Sequence, residues 1–139
     1  RSAAARLATS VASLEDDAGR VAVDGFFDGV RTPSDAERAL VDRLPDEAAE
    51  LAGVFEIPAW QRGLEGAGWN HALYFEPTLN VNGLHGGYGG EGAKTVLPHE
   101  AFAKLDVRLV PDQDPEAIVA AIRAHLDAMA PQQPRRPKP

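Results

Sequence analysis

Apolar residues recur at spacings of four and three through Leu7, Val11 and Leu14, in a stretch otherwise rich in alanine. That spacing predicts an amphipathic helix over 2–14, with Ser2 as its N-cap. Glu15-Asp16-Asp17-Ala18-Gly19 reads as a turn ending in a glycine that can adopt a left-handed conformation. Arg20 to Asp24 alternates polar and apolar and reads as a strand. Thr32-Pro33-Ser34-Asp35, with Glu37 three residues after Ser34, is the signature of a capping box. It predicts a helix to about Leu44, broken by Pro45, and a short helix over 46–51. From Gly53 to Trp69, glycines, Pro58 and two tryptophans leave only loop and short helix. Leu79, Val81 and Leu84 mark one strand, and Phe102, Leu105, Val107 and Leu109 another, closed by Pro111. Asp114-Pro115-Glu116 opens a last helix, with proline at its first position. Ile118, Ile122, Leu126 and Met129 line one face of that helix, and Pro131 ends it.

The order predicts an α+β fold, with helices packed on one face of an antiparallel sheet. Only two long strands are visible, and a two-stranded sheet is marginal by itself, so the sheet is expected to be incomplete at both ends. The expected organisation is one domain over 1–130, with a strand-rich and helical insert over 20–76. A proline-rich tail follows over 131–139.

Composition narrows the function classes. The chain has 139 residues and a formal net charge of −7. Its only basic cluster, Arg135-Arg136-Pro137-Lys138, reads as a solvated tail. Nucleic acid is therefore not an expected partner, because such binding needs a basic face. No apolar run reaches the length of a membrane span. There is no cysteine, so disulfides, thiolate zinc sites and cysteine nucleophiles are excluded. A reducing, cytoplasmic setting fits that composition.

The candidate chemistry concentrates in PTLNVNGLHGGYGGEGAKTVLP (77–98) and the strand after it. His71, His85, His99 and His125 form no His-x-x-x-His pair, and no set of convergent ligands is legible around them, so no metal ligand is assigned. His99 beside Glu100 reads as a solvated pair, His125 as a surface histidine, and nothing discriminates His71. His85, inside the glycine loop, has the best local case for touching a ligand. The glycine run fails as a phosphate loop, because Lys94-Thr95 leads into Val96-Leu97-Pro98 rather than into a helix. Ser2, Ser10, Ser13 and Ser34 fall on predicted helices or caps, which leaves no catalytic serine. Arg108 stands among Val107, Leu109 and Val110, in a strand expected to be at least half buried. It is either a sheet-surface arginine paired with an acid or a two-pronged clamp on a carboxylate. Thr95 could add a hydroxyl donor.

The run 77–98, the strand ending in Arg108-Leu109-Val110-Pro111, and Gln113-Asp114-Pro115-Glu116 resemble the carnosine-dipeptidase-like zinc metallopeptidases. Those enzymes belong to the superfamily of acetylornithine deacetylase, succinyl-diaminopimelate desuccinylase and aminoacylase. Gly19-Arg20-Val21 to Gly25-Phe26-Phe27-Asp28 resembles them too, and the likeness covers roughly Ser2 to Ala130. The resemblance implies a ferredoxin-like lid and dimerisation domain, inserted into a catalytic domain that holds two zinc ions. The chain lacks the family's Glu-Glu pair, and its His125-Leu126-Asp127 falls inside the last predicted helix, so no cofactor is expected in the chain itself, which should be inactive alone. The implied partners are a second lid, the chain's own catalytic domain, and a small peptide or N-acyl amino acid substrate. In such enzymes the residues at the Thr95 and Arg108 positions contact the substrate carboxylate as the lid closes. The rival reading is a free-standing ferredoxin-like module that binds a small carboxylate or amino acid.

Overall fold

A computed structural model describes residues 2–129. The expected helix stop at Pro131 and the tail over 131–139 lie outside the described residues. The frame is a hairpin of β1 (Thr78–Gly86) and β2 (Ala101–Arg108). They pair antiparallel from Thr78 opposite Arg108 to Gly86 opposite Ala101, with a register shift between Val81 and Gly83. The alternation of β2 separates two faces. Leu105 and Val107 turn inward, whereas Phe102, Lys104, Asp106 and Arg108 are exposed.

Two helices cover the inner face. In α1 (Ala3–Ala12) the Ser2 Oγ accepts from the Ala5 amide at 3.2 Å, as the sequence predicts for a cap. Helix α1 crosses both strands. Its close approach explains Gly86: a Cβ there would lie 3.0 Å from the Ala4 Cβ and 2.8 Å from the Ala101 Cβ. At the other end of the chain, α5 (Pro115–Met129) begins where the Glu116 amide donates to Asp114 Oδ1 at 3.0 Å. Its apolar face buries Ile118 and Ile122 beside Leu14, Val23, Phe26 and Leu79. Full burial of each such side chain is worth about 1.5–3 kcal/mol, so these residues carry much of the stability. Leu126 is half-buried and Met129 is mostly outside the core.

Between α1 and β1 the chain forms turns and then helices, with no strand, which corrects the strand expected over 20–24. Val21 makes one isolated bridge to Glu15, and the chain then turns through Gly25 and Gly29, both at positive φ. Val23 and Phe26 plunge into the core from this turn, so their apolar character serves burial and no ladder. Gln113 locks the turn to the end of β2: its Nε2 donates to the Phe26 carbonyl at 2.8 Å, and its Oε1 accepts from the Val110 amide at 3.2 Å. The expected capping box opens α2 (Asp35–Val41), which ends three residues before Leu44, and α3 spans Glu47–Val54.

A fourth helix, α4 (Gly66–Phe75), begins inside the stretch expected to be loop and short helix and runs six residues past Trp69. No side chain caps it, and Gly66 and Gly68 weaken its intrinsic propensity. Tertiary contacts hold it instead. The Trp69 ring lies 5.2 Å from that of Trp60, Asn70 Nδ2 donates to the Pro45 carbonyl at 3.3 Å, and His71 Nε2 sits 2.7 Å from Asp42 Oδ1. Among the described residues no helix is long and apolar enough to cross a membrane.

Candidate functional site

The alternation of β2 that turns Val107 toward the core sends Arg108 outward. Its side chain is 79% exposed, not half buried as its neighbours suggested. Its Nε lies 3.9 Å from Asp106 Oδ2, beyond hydrogen-bond reach, and among the described residues the guanidinium makes no hydrogen bond. Thr78 stands directly across the ladder from it, and Asn80 stands across from Asp106. The sheet face away from α1 and α5 therefore presents a guanidinium whose prongs are free to take a planar anion.

Thr95 lies in the connection between the strands, exposed and without a hydrogen bond among the described residues. Its neighbours Lys94 and Val96 line an open hollow of about 470 Å³ with His85, Tyr88, Pro98, His99 and Phe102. This hollow is at the Gly86–Ala101 end of the hairpin, whereas Arg108 is at the Thr78 end. Six residue steps from Phe102 to Arg108, at about 3.3 Å each, put the two ends about 20 Å apart along β2. Thr95 thus belongs to the connection that leaves the hairpin at the end opposite Arg108.

The histidines divide. His85 stacks on Phe102, with ring centres 5.3 Å apart, and so helps to wall the hollow. His99 is the solvated partner of Glu100 that its position suggested, at 3.4 Å and 91% exposed. His125 is not a free surface residue: its Nε2 lies 3.0 Å from Ser13 Oγ, because this face of α5 meets the end of α1. Ser13 meanwhile donates to the Ser10 carbonyl at 2.8 Å, which occupies its proton. Among the described residues no three His, Asp or Glu side chains converge to hold a metal ion. A second hollow of about 250 Å³ runs between the insert and the start of β1, past Trp60, Trp69 and Thr78. Its Arg62 and Glu76 are ion-paired with each other.

Sequence reasoning quoted Tyr88 and Lys94 within the glycine run but gave them no part. The structure places the Lys94 Nζ 5.3 Å from the centre of the Tyr88 ring. An aromatic inside a glycine run, with a lysine six residues on, is the signal that could have found them.

Comparison with known proteins agrees with this architecture. The profile of the peptidase dimerisation domain matches residues 1–134. A Cys-Gly metallodipeptidase of Saccharomyces cerevisiae is 31% identical over 117 residues, 84% of this chain and 24% of that protein. A Beta-Ala-His dipeptidase of Mus musculus is 24% identical over 90% of this chain and 25% of its own length. The crystal structure of an M20 family metallo-carboxypeptidase from Sulfolobus solfataricus superposes with a TM-score of 0.83 at 38% identity. That match covers 93% of this chain and 34% of the other. The chain thus spans about a quarter of the length of the curated relatives it matches.

Proposed function

From the premise that this chain belongs to the peptidase dimerisation domain family, we propose that it is the lid of a metallodipeptidase or amidohydrolase, closing over a substrate held in a separate catalytic domain. One observation carries the reading: the Arg108 guanidinium stands exposed on the sheet face that no helix covers, without a hydrogen bond and with a loose 3.9 Å ion pair to Asp106 among the described residues. A charged fork left open on a rigid strand suits a substrate carboxylate, because two parallel N–H donors match its two oxygens.

The residues of this chain bind and orient. We assign the two zinc ions implied by the resemblance to the catalytic domain, and this chain's residues to binding the substrate's carboxylate end. Closing the sheet face over the substrate excludes water from the cleft and strengthens the Arg108–carboxylate contact. It also fixes the scissile amide relative to the catalytic groups. Small peptides and N-acyl amino acids with a free carboxylate beside the amide are the substrate class that this clamp selects.

The separation of Thr95 and Arg108 gives the dimer a role. In a two-fold pair, the partner subunit's Thr95 is assigned to the carboxylate that Arg108 holds, because the Thr95 of the same chain belongs to the connection at the opposite end of the hairpin. Each cleft then needs both lids.

The test uses the full-length enzyme that carries this domain. Arg108→Ala lowers kcat/KM by the equivalent of about 2–4 kcal/mol, the scale for truncating one partner of a desolvated charge pair. The loss is confined to substrates with a free carboxylate, and amidated analogues change little. Arg108→Lys recovers only part, since a point charge cannot reproduce the fork. Equal losses on acid and amidated substrates would make Arg108 a structural residue.

A further inference from the structure

Residues 87–100 connect β1 to β2 without any helix or strand of their own. Four glycines stand among 87–92, and such a chain is costly to hold in one shape. One side chain organises it. The Tyr88 hydroxyl donates to the Glu91 carbonyl at 3.1 Å, which folds the chain back over the ring. Gly90 lies against that ring so closely that a Cβ there would be 2.5 Å from the Tyr88 oxygen and 2.7 Å from Cζ. The Lys94 ammonium then sits over the same ring, 5.3 Å from its centre, with no carboxylate partner among the described residues. A single aromatic thus touches the loop at Gly90, Glu91 and Lys94. Lys94 and Val96 both turn into the hollow beside Tyr88 and Phe102, and Thr95, between them, does not line it. Thr95 therefore stands between two neighbours that the hollow engages.

We propose that Tyr88 is a positioning residue for Thr95. Its ring anchors Lys94, and its hydroxyl closes the turn at Glu91, so that the Thr95 hydroxyl is presented in one direction when the lid closes. This rests on the reading of Thr95 as a substrate contact. Tyr88 is itself 53% exposed and outside the core, so its replacement should leave the fold intact.

Two measurements test this together. In the 139-residue chain, ¹⁵N relaxation follows the Thr95 amide in Tyr88→Leu and Tyr88→Phe, with Tm as the check on folding. Leucine loosens the loop and lowers the heteronuclear NOE at Thr95, while Tm holds. Phenylalanine keeps the ring under Lys94 and retains most of the order. In the full-length enzyme, Tyr88→Leu lowers kcat/KM on carboxylate substrates about 10- to 100-fold, the scale for a misplaced contact. The double variant Tyr88→Leu/Thr95→Ala is then no worse than Thr95→Ala alone. An unchanged NOE at Thr95 in Tyr88→Leu overturns the proposal, as do losses that simply add in the double variant. If the loop loosens but Thr95→Ala is silent on every substrate, the substrate role of Thr95 falls, and with it the function proposed for Tyr88, whereas Arg108 is judged by its own variants.

Discussion

Glu37 shows how much a single side chain can organise. Its carboxylate accepts from Arg31 Nη1, from the Ser34 amide and from the Ser34 hydroxyl, each at 2.8 Å. The hydrogen bond from Arg31, followed by those from Ser34, holds its pKa well below the ordinary carboxylate value. A depressed folded pKa means that the ionised form is favoured by the fold. The stability it contributes is therefore present above the unfolded value of 4.5 and is lost as pH falls through the acidic range toward the folded value. Comparing Tm of the parent chain and Glu37→Gln across pH should show the largest gap near neutrality, closing progressively below about pH 4. Ser34→Ala removes the reciprocal half of the box and should cost about 1 kcal/mol at neutral pH, read from denaturant midpoints.

Among the elements, α4 depends most on its neighbours. The Trp60 Nε1 donates to the Ala48 carbonyl at 2.9 Å, while its ring meets Trp69, so one residue ties α3 to α4. Trp60→Phe keeps the ring contact and loses the hydrogen bond, at a cost of about 1 kcal/mol. Trp60→Ala loses both and should cost about 3 kcal/mol. The loss should be local: amide exchange should speed up over 66–75 while the amides of β1, β2 and α5 stay protected. Uniform deprotection would show that the insert and the hairpin core unfold as one unit.

Taken as a whole, the molecule is a hairpin whose outer strand edges are unpaired among the described residues, beneath two helices. Exposed edges are templates for pairing with another chain, and a family built around dimerisation has a use for them. Sedimentation equilibrium should find a dimer that dissociates on dilution, and a monomer at high concentration would argue against edge pairing. Subunit mixing tests the shared cleft directly. Arg108→Ala and Thr95→Ala enzymes, each impaired, should recover activity when their subunits exchange, because one of the two clefts then holds both wild-type residues. Absence of recovery despite proven exchange would return both residues to separate tasks.

Local signals marked much of this architecture. Ser2, the Ser34–Glu37 box and Pro115 stop or start backbone hydrogen bonding by their own chemistry, so α1, α2 and α5 begin where those residues say. Alternation located β1 and β2, and the motif around Thr95 and Arg108 carried the family resemblance. Three things were decided only in three dimensions. Helix α4 forms against its propensity, because Trp60, Pro45 and Asp42 come from distant chain to hold it. Val21 and Val23 look like a strand but serve a turn, since alternation reports burial on one side and not the presence of a pairing partner. The facing of Arg108 and its place at the end of the hairpin opposite the connection that carries Thr95 follow from register: a strand's period of two assigns each side chain to a face, and only the ladder says which face the helices cover.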